Sequence, residues 1–183
     1  KKIDFTYASK VEHNFAQRLI IKTIENFSGK KKLEKLYKDF SLIEKDPSSF
    51  WLDILEAMSI KITNKSKNKL IIPKTGSLLL IANHPFGIID GLILCALTSK
   101  IRSDFKIMTH ETLQFLPQLE QFILPVDFSG KKKKSKILNI NTARKAKEFL
   151  ENGGVVIIFP SGGVSTASSL KSDAIDDDWK LFP

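Results

Sequence analysis

Leu78-Leu79-Leu80-Ile81-Ala82-Asn83-His84-Pro85-Phe86-Gly87-Ile88-Ile89-Asp90-Gly91-Leu92-Ile93-Leu94-Cys95-Ala96-Leu97 is the stretch on which the fold turns. Two apolar runs flank a short turn that carries a histidine and an aspartate. The first run, Ser77 to Ala82, is brief and continuous, which predicts a strand covered on both faces. The second predicts a helix from Asp90 to about Ser99, with Asp90 placed to cap it. A strand that opens into a helix through Gly and Pro is where α/β folds usually place their chemistry.

His84 is the leading candidate for that chemistry. Imidazole titrates near neutral pH and is the usual general base. A nearby carboxylate can fix its tautomer and stabilise the imidazolium. Asp90 is the nearest acid in sequence, five residues intervene, and Gly87 permits the turn that would join the two. The bland alternative is a structural histidine beside an ordinary helix cap. His13 and His110 read as structural or exposed. Cys95 sits in an apolar helix and reads as a packed small residue.

Upstream, Val11, Phe15, Leu19, Ile20, Ile24 and Phe27 mark a helix over 11–27, and Leu33, Leu36, Phe40 and Ile43 a more basic one over 30–45. Pro47 fits the start of a third, over roughly 48–59, carrying Phe50, Trp51, Ile54, Leu55 and Met58. Either core packing or a basic platform resting on lipid needs this pattern. Ile60 and Ile62 then alternate with lysines, and Ile71 and Ile72 follow a polar turn, which predicts a hairpin.

Downstream, strands are expected at 105–108, 122–126 and 155–159, and helices at 111–121 and 136–151, the last stopped by Asn152-Gly153-Gly154. The run Lys131–Lys134 reads as a basic loop, either simply solvated or an anion clamp. The strand at Val155 feeds Phe159-Pro160-Ser161-Gly162-Gly163, whose backbone N–H groups suit a phosphate or a developing oxyanion. Ser161, Ser165 and Thr166 add hydroxyls. The fold class is therefore α/β: a mixed, largely parallel sheet flanked by helices, with an N-terminal helical cap. The expected division is 1–59 for the helical region and 60–183 for the core.

The 183 residues are 42% hydrophobic, enough for one real core. The net charge of +9 points to an anionic partner. Nearly all of that charge is lysine and the aromatics sit at core spacing, so nucleic acid is not the expected partner. A single cysteine excludes an intrachain disulfide or a Cys-rich zinc site. No apolar run approaches the ~20 residues that span a bilayer. The start at Lys1-Lys2 and the stop at Phe182-Pro183 read as a piece of a longer protein.

Taken together, Asn83-His84…Asp90, then Pro125-Val126-Asp127-Phe128 with its lysines, then Gly153-Gly154-Val155…Phe159-Pro160-Ser161-Gly162 resemble the glycerolphosphate and lysophospholipid acyltransferase superfamily. Order and spacing agree across roughly residues 70–170. The Asn-His-Pro-Phe-Gly form looks most like the branch of bacterial hemolysin-like and ornithine-lipid acyltransferases. Three positions depart from the superfamily pattern. The His–Asp spacing is longer by one, Ser161 replaces a glutamate, and the lysine run stands where an arginine is expected.

The resemblance implies an O-acyltransferase that uses a fatty acyl thioester, on acyl carrier protein or coenzyme A, and a lysophospholipid or similar acceptor. It implies catalytic roles for His84 and Asp90. Substrate contacts would fall to Asn83, Phe86, Gly87, Lys131, Lys132, Phe159, Pro160, Ser161, Gly162 and Gly163. No bound cofactor or metal is implied. The enzyme would work peripherally on an anionic membrane surface at the cytoplasmic face. A catalytically weakened lipid-binding relative is the alternative.

Overall fold

The computed structural model describes residues 47–63, 65, 71–111, 119–127, 133–166, 172–173, 175–176 and 178–179. The helices expected over 11–27 and 30–45 lie outside these residues, as do His13, Lys131, Lys132 and most of the helix expected over 111–121.

Among the described residues, seven elements and one short 3₁₀ turn follow in order. They are helix α1 (Pro47–Ala57), strand β1 (Leu78–Ile81), helix α2 (Ile88–Ser99), strand β2 (Phe105–His110), the turn Glu120–Phe122, strand β3 (Ile123–Val126), helix α3 (Lys133–Glu151) and strand β4 (Val155–Ile158). The four strands form a sheet in the order β1-β4-β2-β3, and every pairing in it is parallel. The last strand thus inserts between the first two.

Parallel strands need crossovers, and these are right-handed almost without exception. From β1 to β2 the chain moves one way across the sheet; from β3 to β4 it moves back. Their crossover helices α2 and α3 therefore cover opposite faces. The side chains agree. Met108, Leu124, Val156 and Ile158 gather under Ala146, Phe149 and Leu150 of α3. On the other face Ile107 lies against Gly91 of α2, and Trp51 of α1 packs its ring on Phe105 and Phe122. For this helix the apolar stripe is core: Phe50, Trp51 and Leu55 are buried.

Strand β4 is buried at every position, as its uninterrupted Val-Val-Ile-Ile run requires of a central strand. Strand β1 is a correction to the sequence reading. Leu79 and Ile81 are about half exposed, at 48% and 51%. They pair with Val156 and Ile158, so they face the α3 side. Among the described residues β1 has one sheet neighbour, and the crossover helix lies over the strands beyond it. An apolar run alone does not distinguish a central strand from the next one out.

The hairpin is a second correction. Ile60–Thr63 and Ile71–Pro73 carry no strand, although Ile72 is buried. Alternation over so few residues needs a pairing partner to become a strand. A third concerns the lysine run. Lys133 and Lys134 belong to the exposed first turn of α3 rather than to a loop. Lysine is a good helix former, and that propensity outweighs its poor match to the helix dipole at this end.

Helix α3 stops where the sequence says it should. Gly153 adopts φ +87°, its N–H donates to the Leu150 carbonyl, and the Gly154 N–H donates to that of Phe149. This is a Schellman cap. It brings Gly154 so close to the Phe149 ring that an added Cβ would lie 2.4 Å from it. Phe149 packs against the core and has little room to retreat. Gly154→Ala is expected to destabilise the fold by about 1–3 kcal/mol, read as a lower urea midpoint with an unchanged m-value. An unshifted midpoint would mean that the ring moves freely.

Candidate active site

Ile81 of β1 is in register with Ile158 of β4. Parallel pairing therefore delivers the two following segments to the same edge of the sheet. His84 comes three residues after Ile81 and Phe159 one after Ile158. Their rings stack, with centroids 4.1 Å apart and planes 22° from parallel. The strand ends thus bring together the histidine turn and the Phe-Pro-Ser-Gly-Gly loop.

Asp90 closes back on the histidine. Its Oδ2 lies 3.2 Å from His84 Nδ1, and both side chains are largely covered, at 12% and 19% exposure. The same oxygen accepts the Phe86 N–H at 2.8 Å. Nδ1 is buried and makes no aligned hydrogen bond in this conformation. What is missing is alignment rather than proximity.

Asp90 does not cap α2, as the sequence suggested. The helix begins two residues earlier, at Ile88, and the position before it is Gly87, which makes no side-chain cap. Gly87 has φ +63°, and its open side faces the Val164 side chain, 3.3 Å from where a Cβ would sit. Glycine is needed there for both reasons. Asp90, in the first helical turn, spends its carboxylate on the Phe86 amide and the imidazole instead. A negative charge in that turn also suits the helix dipole.

The Phe159–Gly163 loop is tightly organised. The Gly162 N–H closes a turn onto the Phe159 carbonyl, and Gly162 has φ +69°. Ser161 is buried, and its hydroxyl donates to the Gly163 carbonyl at 3.0 Å. Pro160 is partly buried, Asn83 and Phe86 are exposed, and Phe86 stands 70% free. Phe159, expected to contact substrate, is the platform on which His84 rests. Lys133 and Lys134 open α3 after β3. Strand β3 lies two spacings from β4, about 10 Å across the same edge. Cys95 is fully buried, and that burial pushes its thiol far above the usual range, so it supplies no thiolate. His110 ends β2, opposite Val126.

Sequence reasoning did not find Asp176. Its Oδ1 accepts the His84 backbone N–H at 3.1 Å and the Ser165 hydroxyl, and its Oδ2 lies 3.4 Å from the Trp179 indole nitrogen. Those donors, the Ser165 hydroxyl foremost, hold its carboxyl below the usual carboxylate range. The depressed value means that these bonds are intact above the ordinary aspartate pKa and are lost as pH falls through the lowered one. Thr166 and Ile175 pair as an antiparallel bridge that presents this segment to the turn. The one available signal was the acidic cluster followed by tryptophan, which has no motif around it.

Exposed apolar side chains crowd this edge: Phe86, Ile88, Val164, Ile175 and Trp179. No helix among the described residues is long and apolar enough to cross a membrane. A family model described as Acyltransferase matches residues 61–174, which span β1 through β4, the histidine turn and the Phe159–Gly163 loop. No curated protein and no solved structure matches the chain.

Proposed function

The chain belongs to the acyltransferase family, and on that premise we propose that it moves a fatty acyl group from a thioester, on acyl carrier protein or coenzyme A, to the hydroxyl of a lysophospholipid or related lipid. The observation that carries the reading is the His84–Asp90 pair, 3.2 Å apart and backed by the Phe159 ring. His84 takes the acceptor hydroxyl proton through Nε2, because Nδ1 faces Asp90. The acceptor oxygen then attacks the thioester carbonyl. The tetrahedral oxyanion collapses, the C–S bond breaks, and the leaving thiolate receives the proton from His84. Asp90 stabilises the imidazolium between these steps.

Backbone N–H groups of the Ser161–Gly163 loop are assigned either the oxyanion or the acceptor phosphate. Lys133 and Lys134 at the head of α3 would meet a phosphate or the acidic face of a carrier. The Asn-His-Pro-Phe-Gly turn favours a hemolysin-like or ornithine-lipid type of acceptor chemistry within the family. A second reading, a lipid-binding relative with weakened turnover, is supported by Ser161. Its buried, internally bonded hydroxyl stands where the superfamily pattern has a glutamate. A panel of lysolipids offered with acyl-carrier-protein and coenzyme A thioesters separates the two. Release of free thiol with lipid product supports transfer; lysolipid binding without release supports the second reading.

The apolar rim around His84 supports work at a membrane surface. Together with the +9 charge it predicts recruitment to anionic vesicles. In a flotation assay the chain is expected with phosphatidylglycerol-containing vesicles more than with neutral ones. Phe86→Asp is expected to lower recovery on both. Equal recovery on the two vesicle types would remove the electrostatic part of the proposal.

A further inference from the structure

His84 is held by its backbone as well as by its ring. The Ser165 N–H donates to the His84 carbonyl at 2.9 Å, while the His84 N–H donates to Asp176 Oδ1 at 3.1 Å. The Ser165 hydroxyl donates to that same Oδ1. Both polar backbone groups of one residue are thus taken by a pair of residues 81 and 92 positions later in the chain. The antiparallel bridge between Thr166 and Ile175 stiffens the pair from behind. Neither side chain points its bonds at the imidazole nitrogens. Their grip is on the main chain, upstream of the chemistry.

We infer that Asp176 and Ser165 are positioning residues that fix the main chain of His84, so that its ring meets Asp90 on one side and the acceptor hydroxyl on the other. This rests on the catalytic reading of His84 given above. The turn needs such support. It contains Pro85 and a glycine at positive φ, and outside the helix its peptide groups have no repeating ladder to hold them. Without Asp176 the His84 amide loses its acceptor and the peptide is free to rotate. An error of about 1 Å in the base is enough to cost ~100-fold in rate.

The test uses the full chain and two variants. Asp176→Ala removes the acceptor, whereas Asp176→Asn keeps an oxygen that accepts the same N–H. With the thioester–lysolipid pair that the wild-type chain turns over, Asp176→Ala is expected to lower kcat by about 10- to 100-fold with KM within about twofold. Asp176→Asn is expected to return kcat to within about threefold of wild type. An unchanged kcat in Asp176→Ala overturns the inference. So does a rise in KM at constant kcat, which would make Asp176 a substrate contact. So does an asparagine variant as impaired as the alanine.

If Asp176→Ala fails to fold, Ser165→Ala takes its place. It leaves the backbone bond but frees the carboxylate, and an unchanged kcat there also overturns the inference. If the wild-type chain turns over no thioester, the catalytic reading falls, and amide hydrogen exchange decides the positioning role alone. The His84 amide should lose protection in Asp176→Ala and regain it in Asp176→Asn, with the β4 amides unchanged. Equal His84 exchange in wild type and Asp176→Ala rejects it.

Discussion

His84→Ala is expected to lower acyl transfer by about 10² to 10⁴-fold while leaving the fold intact. The two parts of that expectation have separate grounds. The imidazole is the one group in the assembled turn that can both take a proton from a hydroxyl and return it to a thiolate near neutral pH. The fold, meanwhile, asks little of this side chain. It sits at the sheet edge, and the ring contact it makes among the described residues is the stack on Phe159. Losing an aromatic stack of this kind costs roughly 0.5–1.5 kcal/mol, well short of unfolding a domain. Thioester consumption and circular dichroism on the same preparation check both parts. Full activity in the variant with every acceptor would remove the mechanism. Asp90→Asn provides a companion result. It still accepts the Phe86 N–H but loses the charge opposite the imidazolium, so kcat should fall while the melting temperature holds.

The largest effect on stability is expected at the opposite edge of the sheet. Arg102→Met should destabilise the fold by about 2–4 kcal/mol, through the loss of several charge-assisted hydrogen bonds. The Arg102 side chain is 1% exposed. Its guanidinium donates to the carbonyls of Pro73, Gly76 and Gly153 and grips Asp104 with two bonds. Gly76 and Gly153 lie just ahead of β1 and β4, so a single planar cation ties the starts of two neighbouring strands. Methionine replaces the volume but supplies no donor. Three carbonyls then lose their partner, at about 1–3 kcal/mol for each that stays buried and unpaired.

The ion pair itself is the smaller share, because Asp104 is 54% exposed and solvent screens it. Arg102 does hold the Asp104 carboxyl below its usual range. A depressed folded-state value means that the pair stabilises above the ordinary aspartate pKa and stops doing so as pH falls through the lowered one. The penalty of Arg102→Met should therefore be largest near neutral pH and shrink in acid. Urea titrations at both pH values measure it. A loss below about 1 kcal/mol would mean that water satisfies the carbonyls in place of the guanidinium.

The legible parts of the chain were those governed by local rules. Val155–Ile158 reads as a strand from its apolar run, and Gly153-Gly154 reads as a helix stop because glycine takes the left-handed backbone such a stop needs. Pro47 marks a helix start by the same kind of logic. The His–Asp turn was visible because both residues lie within seven positions of each other.

What failed to show depended on distant partners. Leu79 and Ile81 looked doubly buried, and only the strand order reveals that one face is half open. Ile60 and Ile62 alternate like a strand but have no pairing partner among the described residues. Asp90 had the spacing of a cap, yet the backbone of Phe86 claimed it first. Asp176 and Arg102 act on main-chain atoms dozens of residues away, and no motif encodes such a bond. The sequence around Arg102 offers only an acid two positions on, Asp104, and nothing that points to the three carbonyls.

The insertion of β4 between β1 and β2 also fixes when the site can exist during synthesis. Until Val155–Ile158 has emerged, β1 has no sheet neighbour among the described residues, and Phe159 is not there to support His84. Asp176 emerges later still. A nascent chain therefore carries the histidine turn for 75 residues before Phe159 and 92 before Asp176 can support it, and loop closure over such separations slows folding. The reactive geometry appears only once β4 and the segment that carries Asp176 have joined β1 and the histidine turn.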